Sequence, residues 1–131
     1  MQRTDVNPWT WQEKFGFSQC VDLTAPQRML VLAGQGPVDD DGNLVAEGDL
    51  DGQIRQTMDN LEMVLGQAGV RLSDVVRLTI FTTDMDAFFG AYGTYAARLA
   101  EGGCVPASSL IGVARLAIPG MAVELEATVV V

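Results

Sequence analysis

The segment Met121-Ala-Val-Glu-Leu-Glu-Ala-Thr-Val-Val-Val131 decides the class of fold, because it has the pattern of a β-strand that carries two carboxylates in an apolar run. Every odd-numbered position is apolar, whereas the even-numbered positions include Glu124 and Glu126. One face is therefore predicted to be buried. The carboxylates on the other face have two interpretations: solvent-facing charges on an amphipathic strand, or part of a site where one positions water or acts as a general base.

Length, composition and charge narrow the class of protein. The chain fits one domain, 1–131, in which 1–16 is an N-terminal extension or a first strand, and 48% hydrophobic against 19% charged residues is typical of a globular protein. Its net charge of −9 would repel a phosphate backbone. It has neither a signal-peptide pattern nor the roughly twenty apolar residues that span a membrane. We therefore expect a cytoplasmic protein that binds neither nucleic acid nor membranes.

The chain has no histidine, which removes Ser-His and Cys-His chemistry and the commonest metal ligand. Cys20 and Cys104 lie far apart without a Cys-x-x-Cys pattern, so two buried free thiols are predicted rather than a disulfide or a metal site. Any chemistry must therefore use carboxylates, hydroxyls, arginines or backbone dipoles.

Upstream of the last strand, the hydrophobic pattern predicts the order β-β-α-β-α-β-β. Strands are predicted over 17–23, 28–34, 75–83, 106–116 and 121–131, the last two joined as a hairpin at 117–120. Helices are predicted over 51–68 and from Asp84 or Asp86 to about residue 101. The run 39–43 is predicted to be a tight turn, since leucines at positions 44 and 50 exclude a calcium-binding loop. This pattern indicates a single α+β domain.

Several sequence phrases occur in an order and spacing that point to a known family. They are Ala33-Gly-Gln35, Gln56-Thr-Met-Asp-Asn-Leu61, Asp74-Val-Val76, Thr79-Ile-Phe-Thr-Thr-Asp-Met-Asp86, Pro106-Ala-Ser-Ser-Leu-Ile-Gly-Val-Ala-Arg-Leu116 and Val123-Glu-Leu-Glu-Ala127. From about Phe17 to the C-terminus, the chain resembles the RidA family, also called the YjgF or endoribonuclease L-PSP family.

The resemblance implies a chorismate-mutase-like α+β fold in which a mixed sheet carries two helices on one face. It also implies a homotrimeric barrel with clefts between subunits. RidA-type members use these clefts to hydrolyse 2-imino or enamine acids to 2-keto acids and ammonia, and they need no cofactor.

The resemblance assigns roles to two positions. Glu124 matches the glutamate that helps to position the attacking water. Ser108, in Pro106-Ala-Ser-Ser109, stands where the family carries an arginine that binds the substrate carboxylate with a bidentate fork. A hydroxyl there forfeits about 2 to 4 kcal/mol of carboxylate recognition. Arg115 is not expected to compensate, because on a continuous strand it would lie about 23 Å away on the opposite face.

The predicted cleft differs from the family pattern at other positions too. Phe17 stands in place of a tyrosine, Ala33 in place of a serine, and Tyr92 in place of an asparagine. With Gly34, Ser108 and Ser109, these are the predicted substrate-binding residues, although Phe17 and Tyr92 have the alternative interpretation of ordinary core or interface packing. Each difference removes or alters a polar group, so a more apolar cleft is predicted.

Three functions follow as hypotheses. In the first, the chain binds or transforms a small metabolite other than a simple 2-imino acid. In the second, it is a weakened deaminase that holds the substrate carboxylate with Ser108, Ser109 and backbone N–H groups. In the third, it is a non-catalytic binding or regulatory module. Ribonuclease activity ranks lowest because the chain is acidic and lacks histidine. Trp9 and Trp11 are expected to cap the cleft, to pack on a neighbouring subunit or to pack on the domain's own surface.

Overall fold

Six β-strands and three α-helices build the protein, and the structure, a computed structural model, describes all residues 1–131. The strands are β1 (Gln2–Val6), β2 (Cys20–Thr24), β3 (Met29–Val31), β4 (Val75–Thr82), β5 (Ala107–Gly112) and β6 (Val123–Val130). The helices are α1 (Leu50–Gln67), α2 (Met85–Gly90) and α3 (Tyr92–Glu101). Together they form a single α+β domain with two sheets, which confirms the predicted class.

The main sheet has the strand order β3-β6-β4-β5, in which β4 and β5 are parallel and the other neighbours antiparallel. The predicted hairpin between the last two strands is wrong, because β4 lies between them. The helices α2 and α3 carry the chain from β4 back to a parallel β5, as a parallel pair requires. Residues 113–122 then lead past β4 to β6 instead of closing a tight turn.

The register of β4 and β6 separates the two faces of this sheet. Leu78, Ile80 and Thr82 pair with Ala127, Leu125 and Val123, and these six side chains face the helices. Arg77, Thr79 and Phe81 pair with Thr128, Glu126 and Glu124 on the opposite face, which no helix covers and which we call the open face. The odd-numbered side of the last strand is buried, as its alternation predicts: Val123, Leu125, Ala127 and Val129 are at most 4% exposed.

Helix α1 supplies most of the layer that covers the sheet. Its apolar residues recur with helical spacing and are fully buried at Ile54, Met58, Leu61 and Leu65. Asp49 caps its N-terminus by accepting a hydrogen bond from the Gly52 N–H at 3.0 Å. The predicted helix over 51–68 is confirmed to within one residue at each end.

The single helix predicted after β4 is instead two helices, with a break at Ala91. Asp84 caps α2 by accepting from the Ala87 N–H at 3.0 Å, and Ala91 leaves the helical region with φ −107° and ψ 7°. Gly90 and Gly93 flank the break and weaken helical continuity. Arg98 of α3 pairs with Asp59 and Glu62, which ties this layer to α1.

The N-terminal strands form a separate two-stranded sheet, in which β1 pairs antiparallel with β2. The strands predicted over 17–23 and 28–34 are shorter in the structure and lie in different sheets. Arg3 anchors the small sheet by donating to the backbone carbonyl of Val105 at 2.7 Å. Residues 7–17 then run from this sheet along α3, where the Phe15 carbonyl accepts from the Tyr92 hydroxyl and Gly16 lies beside Leu99.

Three smaller expectations can be compared with the fold. The tight turn over 39–43 is confirmed, since Val38 and Leu44 form a bridge and the Asp39 carboxylate accepts from the Asn43 N–H at 2.9 Å. Both cysteines are free, but only Cys104 is buried; Cys20 is exposed, on the outward side of β2. None of the helices is both long enough and apolar enough to cross a membrane.

Candidate functional site

Glu124 is partly buried on the open face, directly opposite Phe81 of β4. The neighbouring Gln35 exchanges backbone hydrogen bonds with Leu125, at 2.6 and 2.9 Å, and this holds Gly34 beside the glutamate. A Cβ built on Gly34 would lie 1.8 Å from Oε1 of Glu124. The carboxylate therefore occupies the space that the side chain of any other residue at position 34 would fill.

Ala33 and Ser109 are two predicted site residues whose positions relative to this carboxylate differ. Ala33 is exposed, and its carbonyl accepts a hydrogen bond from the Gln35 side chain at 3.1 Å. Ser109 pairs with Thr79, which in turn pairs with Glu126, so Ser109 lies on the open face. Because β4 separates its strand from β6, it stands about 10 Å or more from Glu124.

Arg77 is a residue of the open face that the sequence analysis did not single out. Its guanidinium donates a hydrogen bond to the Ser109 hydroxyl at 3.1 Å. The signal was available, since Arg77 shares the parity of Thr79 and Phe81 and alternates with the apolar Leu78 and Ile80. It gives the open face a positive charge in the same hollow as Glu126.

The other predicted residues lie elsewhere, in a cavity of about 290 Å³ that we call the aromatic pocket. Phe17, Tyr92 and Ser108 line it, together with Trp11, Phe15, Phe89, Ile80 and Leu110. Ser108 pairs with Leu78, which places it on the helix side of the sheet. Neighbouring residues of a strand point to opposite faces, so Ser108 and Ser109 serve different surfaces.

Several aromatic rings of this pocket pack on one another in edge-to-face contacts. The Trp11 ring centroid lies 5.9 Å from that of Phe17, and the Phe15 centroid lies 5.8 Å from that of Tyr92, both in T-shaped geometry. The Tyr92 hydroxyl donates to the Phe15 carbonyl at 2.7 Å. Burial raises the pKa of Tyr92 to about 12, so the phenol keeps the proton that it donates even above pH 10.

The two tryptophans lie at the edge of the aromatic pocket. Trp11 is 53% exposed and lines the pocket, whereas Trp9 is 57% exposed, stacks on Trp11 with ring centroids 6.5 Å apart, and does not line it. Three placements were expected for the tryptophans: over the cleft, on a neighbouring subunit or on the domain's own surface. In the single chain, Trp11 packs on the domain's own aromatic surface.

A larger hollow, of about 720 Å³, lies on the loop before β6 and contains none of the predicted site residues. Arg115 lines it, on a loop beyond the end of β5 at Gly112. The premise of a continuous strand over 106–116 is therefore wrong, because pairing with β4 ends where β4 ends. No group of three or more cysteine or acidic side chains converges as a metal site would require.

One chain thus divides the predicted site between two surfaces. Glu124 and Gly34 meet on the open face, while Phe17, Tyr92 and Ser108 meet in the aromatic pocket on the helix side. The sheet itself lies between the two groups.

The family model described as Endoribonuclease L-PSP matches residues 12–131. The chain belongs to this family. The resemblance to the RidA or YjgF family is thereby confirmed. Among its relatives, the 2-iminobutanoate/2-iminopropanoate deaminase of Salmonella typhimurium is 36% identical over 115 residues, which cover 87% of this chain and 86% of that protein. The deaminase of the same name from Escherichia coli K12 is 34% identical over the same shares.

Solved structures of family members share the fold. The Rid-family protein YyfB of Yersinia pestis, described as of unknown function, has a TM-score of 0.87 and 36% identity and covers 100% of both chains. The YjgF gene product of Escherichia coli has a TM-score of 0.71 and 34% identity over 87% of each chain. The family model begins at residue 12, so Trp9 and Trp11 precede it, whereas the likeness to YyfB includes them.

Proposed function

We propose that this family member assembles as a homotrimer, with open faces lining a chorismate-mutase-like barrel, and binds or transforms a small metabolite in clefts between subunits. The division of the site residues between two surfaces carries this proposal. A second copy could bring Glu124 and Gly34 of one subunit to the aromatic pocket of the next, which a single chain cannot do. The open face also exposes apolar side chains suited to burial: Met29 is 67%, Val31 74% and Ile111 41% exposed.

In the proposed cleft, Glu124 is the catalytic or hydrogen-bonding group. Its carboxylate accepts a proton from water as the water oxygen bonds to an electrophilic carbon of the substrate. With an imine, the nitrogen takes up the proton from Glu124 and a carbinolamine forms. Its hydroxyl group then loses a proton, which passes through Glu124 to the nitrogen as the C–N bond breaks, so that a carbonyl compound and ammonia leave. The relatives are named as deaminases of 2-imino acids. Packing against Gly34 gives the carboxylate a defined position, which such a step needs.

The aromatic pocket argues against a simple 2-imino acid as the substrate. Seven of its eight lining residues are hydrophobic and the eighth is Ser108, so it offers no cation to a carboxylate. Burying a carboxylate there without a charged partner is costly. We therefore place the substrate outside the class that the deaminase relatives are named for.

A weakened 2-imino acid deaminase is the second candidate, and one observation favours it. Arg77 supplies a guanidinium on the open face within hydrogen-bonding distance of Ser109. A carboxylate held by Arg77 and Ser109 would regain part of the recognition lost at position 108.

The deciding experiment measures keto-acid release while a 2-imino acid is generated in situ, against the spontaneous rate. We expect no acceleration by wild type and measurable acceleration by Ser108→Arg, which restores the charged anchor. Glu126→Ala is the matched control for Glu124→Ala, since both residues lie on the same face of β6. If wild type accelerates the release, Glu124→Ala abolishes the acceleration and Glu126→Ala preserves it, the protein is a 2-imino acid deaminase and our proposal is wrong. A ligand that raises Tm equally in wild type and Glu124→Ala without being consumed would instead support a binding module.

A further inference from the structure

We infer that the aromatic pocket binds an uncharged compound with one aromatic ring system, whose polar substituent hydrogen-bonds to Ser108. This inference rests on the proposed function, because it gives a substrate class to one half of the proposed cleft. Residues 11–17, α2, α3, β4 and β5 line the cavity, which is open on one side.

The lining selects for a ring through its composition. Trp11, Phe15, Phe17, Phe89 and Tyr92 contribute aromatic surface on several sides, and such surfaces prefer offset or edge contacts with another ring. The Tyr92 hydroxyl already donates to the Phe15 carbonyl, whereas the Ser109 hydroxyl is on the other face. Ser108 is therefore the polar side chain available to orient a ligand in the pocket.

The size of the cavity suits a ligand of one or two rings. Its volume is about 290 Å³, at the lower end of the range of small-molecule sites. An apolar cavity of about 150 Å³ is enough to bind benzene. A single ring with a substituent, or a fused pair of rings, therefore fits.

Charge excludes both kinds of ion from the pocket. An anion would meet a lining without any cationic side chain, and its desolvation would go uncompensated. A cation would likewise meet no carboxylate in the lining, so only contacts with ring faces would offset its desolvation.

Trp11 and Trp9 provide a matched pair for testing where the ring lies. Both are tryptophans, both are more than half exposed, and they are two residues apart. Only Trp11 lines the cavity and contacts Phe17. Removing either indole should therefore spare the fold, while only the loss of Trp11 removes contact with a bound ring.

Calorimetric titration of the full chain with indole, with indole-3-acetate and tryptamine as anionic and cationic counterparts, tests the inference. Wild type should bind indole at least tenfold more tightly than either counterpart. Trp11→Ala should weaken indole binding roughly 3- to 10-fold, and Trp9→Ala less than twofold. Ser108→Arg should reverse the preference in favour of indole-3-acetate, because it places a cation in the pocket.

Equal binding of the three probes, or an equal loss from the two tryptophan variants, would overturn the inference. A drop in oligomer mass on Trp11→Ala would also overturn it, because the rings would then belong to a subunit contact. Light scattering and keto-acid release distinguish a failure of this inference from a failure of the proposed function. If the protein is a trimer and behaves as proposed in keto-acid release but does not bind indole, only the ligand class is refuted. If the protein is a monomer that binds indole with the stated preferences, only the interface cleft is refuted.

Discussion

The carboxylate of Glu124 packs directly on the backbone of Gly34, where a Cβ would lie 2.7 Å from Cδ and 1.8 Å from Oε1 of the glutamate. The two residues are far apart in sequence, and the pairing of Gln35 with Leu125 brings them together. The glycine is required for space, since any side chain must displace the carboxylate.

Gly34→Ala should disable the site while preserving the fold. The clashing atoms belong to the flexible end of a glutamate, so the side chain can rotate away at a cost of about 1 kcal/mol or less. Displacing a catalytic group by about 1 Å costs roughly 100-fold in rate. We therefore expect a loss of that order in any turnover that depends on Glu124, with Tm nearly unchanged. Unaltered turnover would show that the carboxylate needs no defined position.

Gly66→Ala is the control for this substitution. Gly66 lies within α1, and a Cβ there would meet no atom within 4 Å. Alanine should therefore stabilise the helix by about 0.5 to 1 kcal/mol without affecting the site. Thermal unfolding of both variants gives the comparison.

Assembly through the open face can be tested with a charge. Val31 is 74% exposed in the single chain, and Val31→Asp would add a carboxylate to each copy of a protein that already carries a net charge of −9. We expect light scattering to give three subunits for wild type and monomers for the variant, because burying unpaired carboxylates is costly. Met63→Asp, at a 60% exposed position on α1, should remain trimeric. A monomeric wild type would rule out the interface cleft.

Gln53 links α1 to the loop before β6 and should contribute strongly to stability. It is 1% exposed, its amide donates to the Gly120 carbonyl at 2.9 Å, and its Oε1 accepts from the Ala122 N–H at 2.8 Å. Gln53→Ala removes both hydrogen bonds of a fully buried side chain, so we expect a loss of about 1 to 3 kcal/mol in chemical denaturation. Gln67→Ala, at the exposed end of α1, should change the free energy of unfolding by less than about 0.5 kcal/mol.

Stability should fall as pH rises from about 9 to 12. Burial raises the pKa of the Cys104 thiol from 9.0 and that of the Tyr92 hydroxyl from 10.0, each to about 12. Within this window the unfolded chain loses protons that the folded chain keeps, so the free energy of unfolding decreases with increasing pH.

Denaturation curves at several pH values check this sign. Cys104→Ala and Tyr92→Phe should each make the decline shallower, and the double variant more so. Burial also raises the pKa of Tyr95. Some decrease of the free energy of unfolding with pH should therefore remain in every variant. The same decline in wild type and the double variant would contradict the assignment.

The hydrophobic pattern of the sequence predicted where individual helices and strands lie and which side of each is buried. The spacing of Ile54, Met58, Leu61 and Leu65 located α1, and alternation in β6 identified its buried side. The division of the second predicted helix into α2 and α3 was not predicted. The break at Ala91 leaves Phe88 and Tyr95 buried with helical spacing, so the hydrophobic pattern does not reveal it.

The sequence by itself determined the class of fold, the family, and the presence of Glu124 and Ser108. Only the tertiary structure decided that β4 separates β5 from β6, that Glu124 rests on Gly34, and that Trp11 joins Ser108 in one cavity. Alternation and helical period record whether a side chain is buried. They do not record which distant segment buries it, because strand pairing depends on the combined packing of the whole domain.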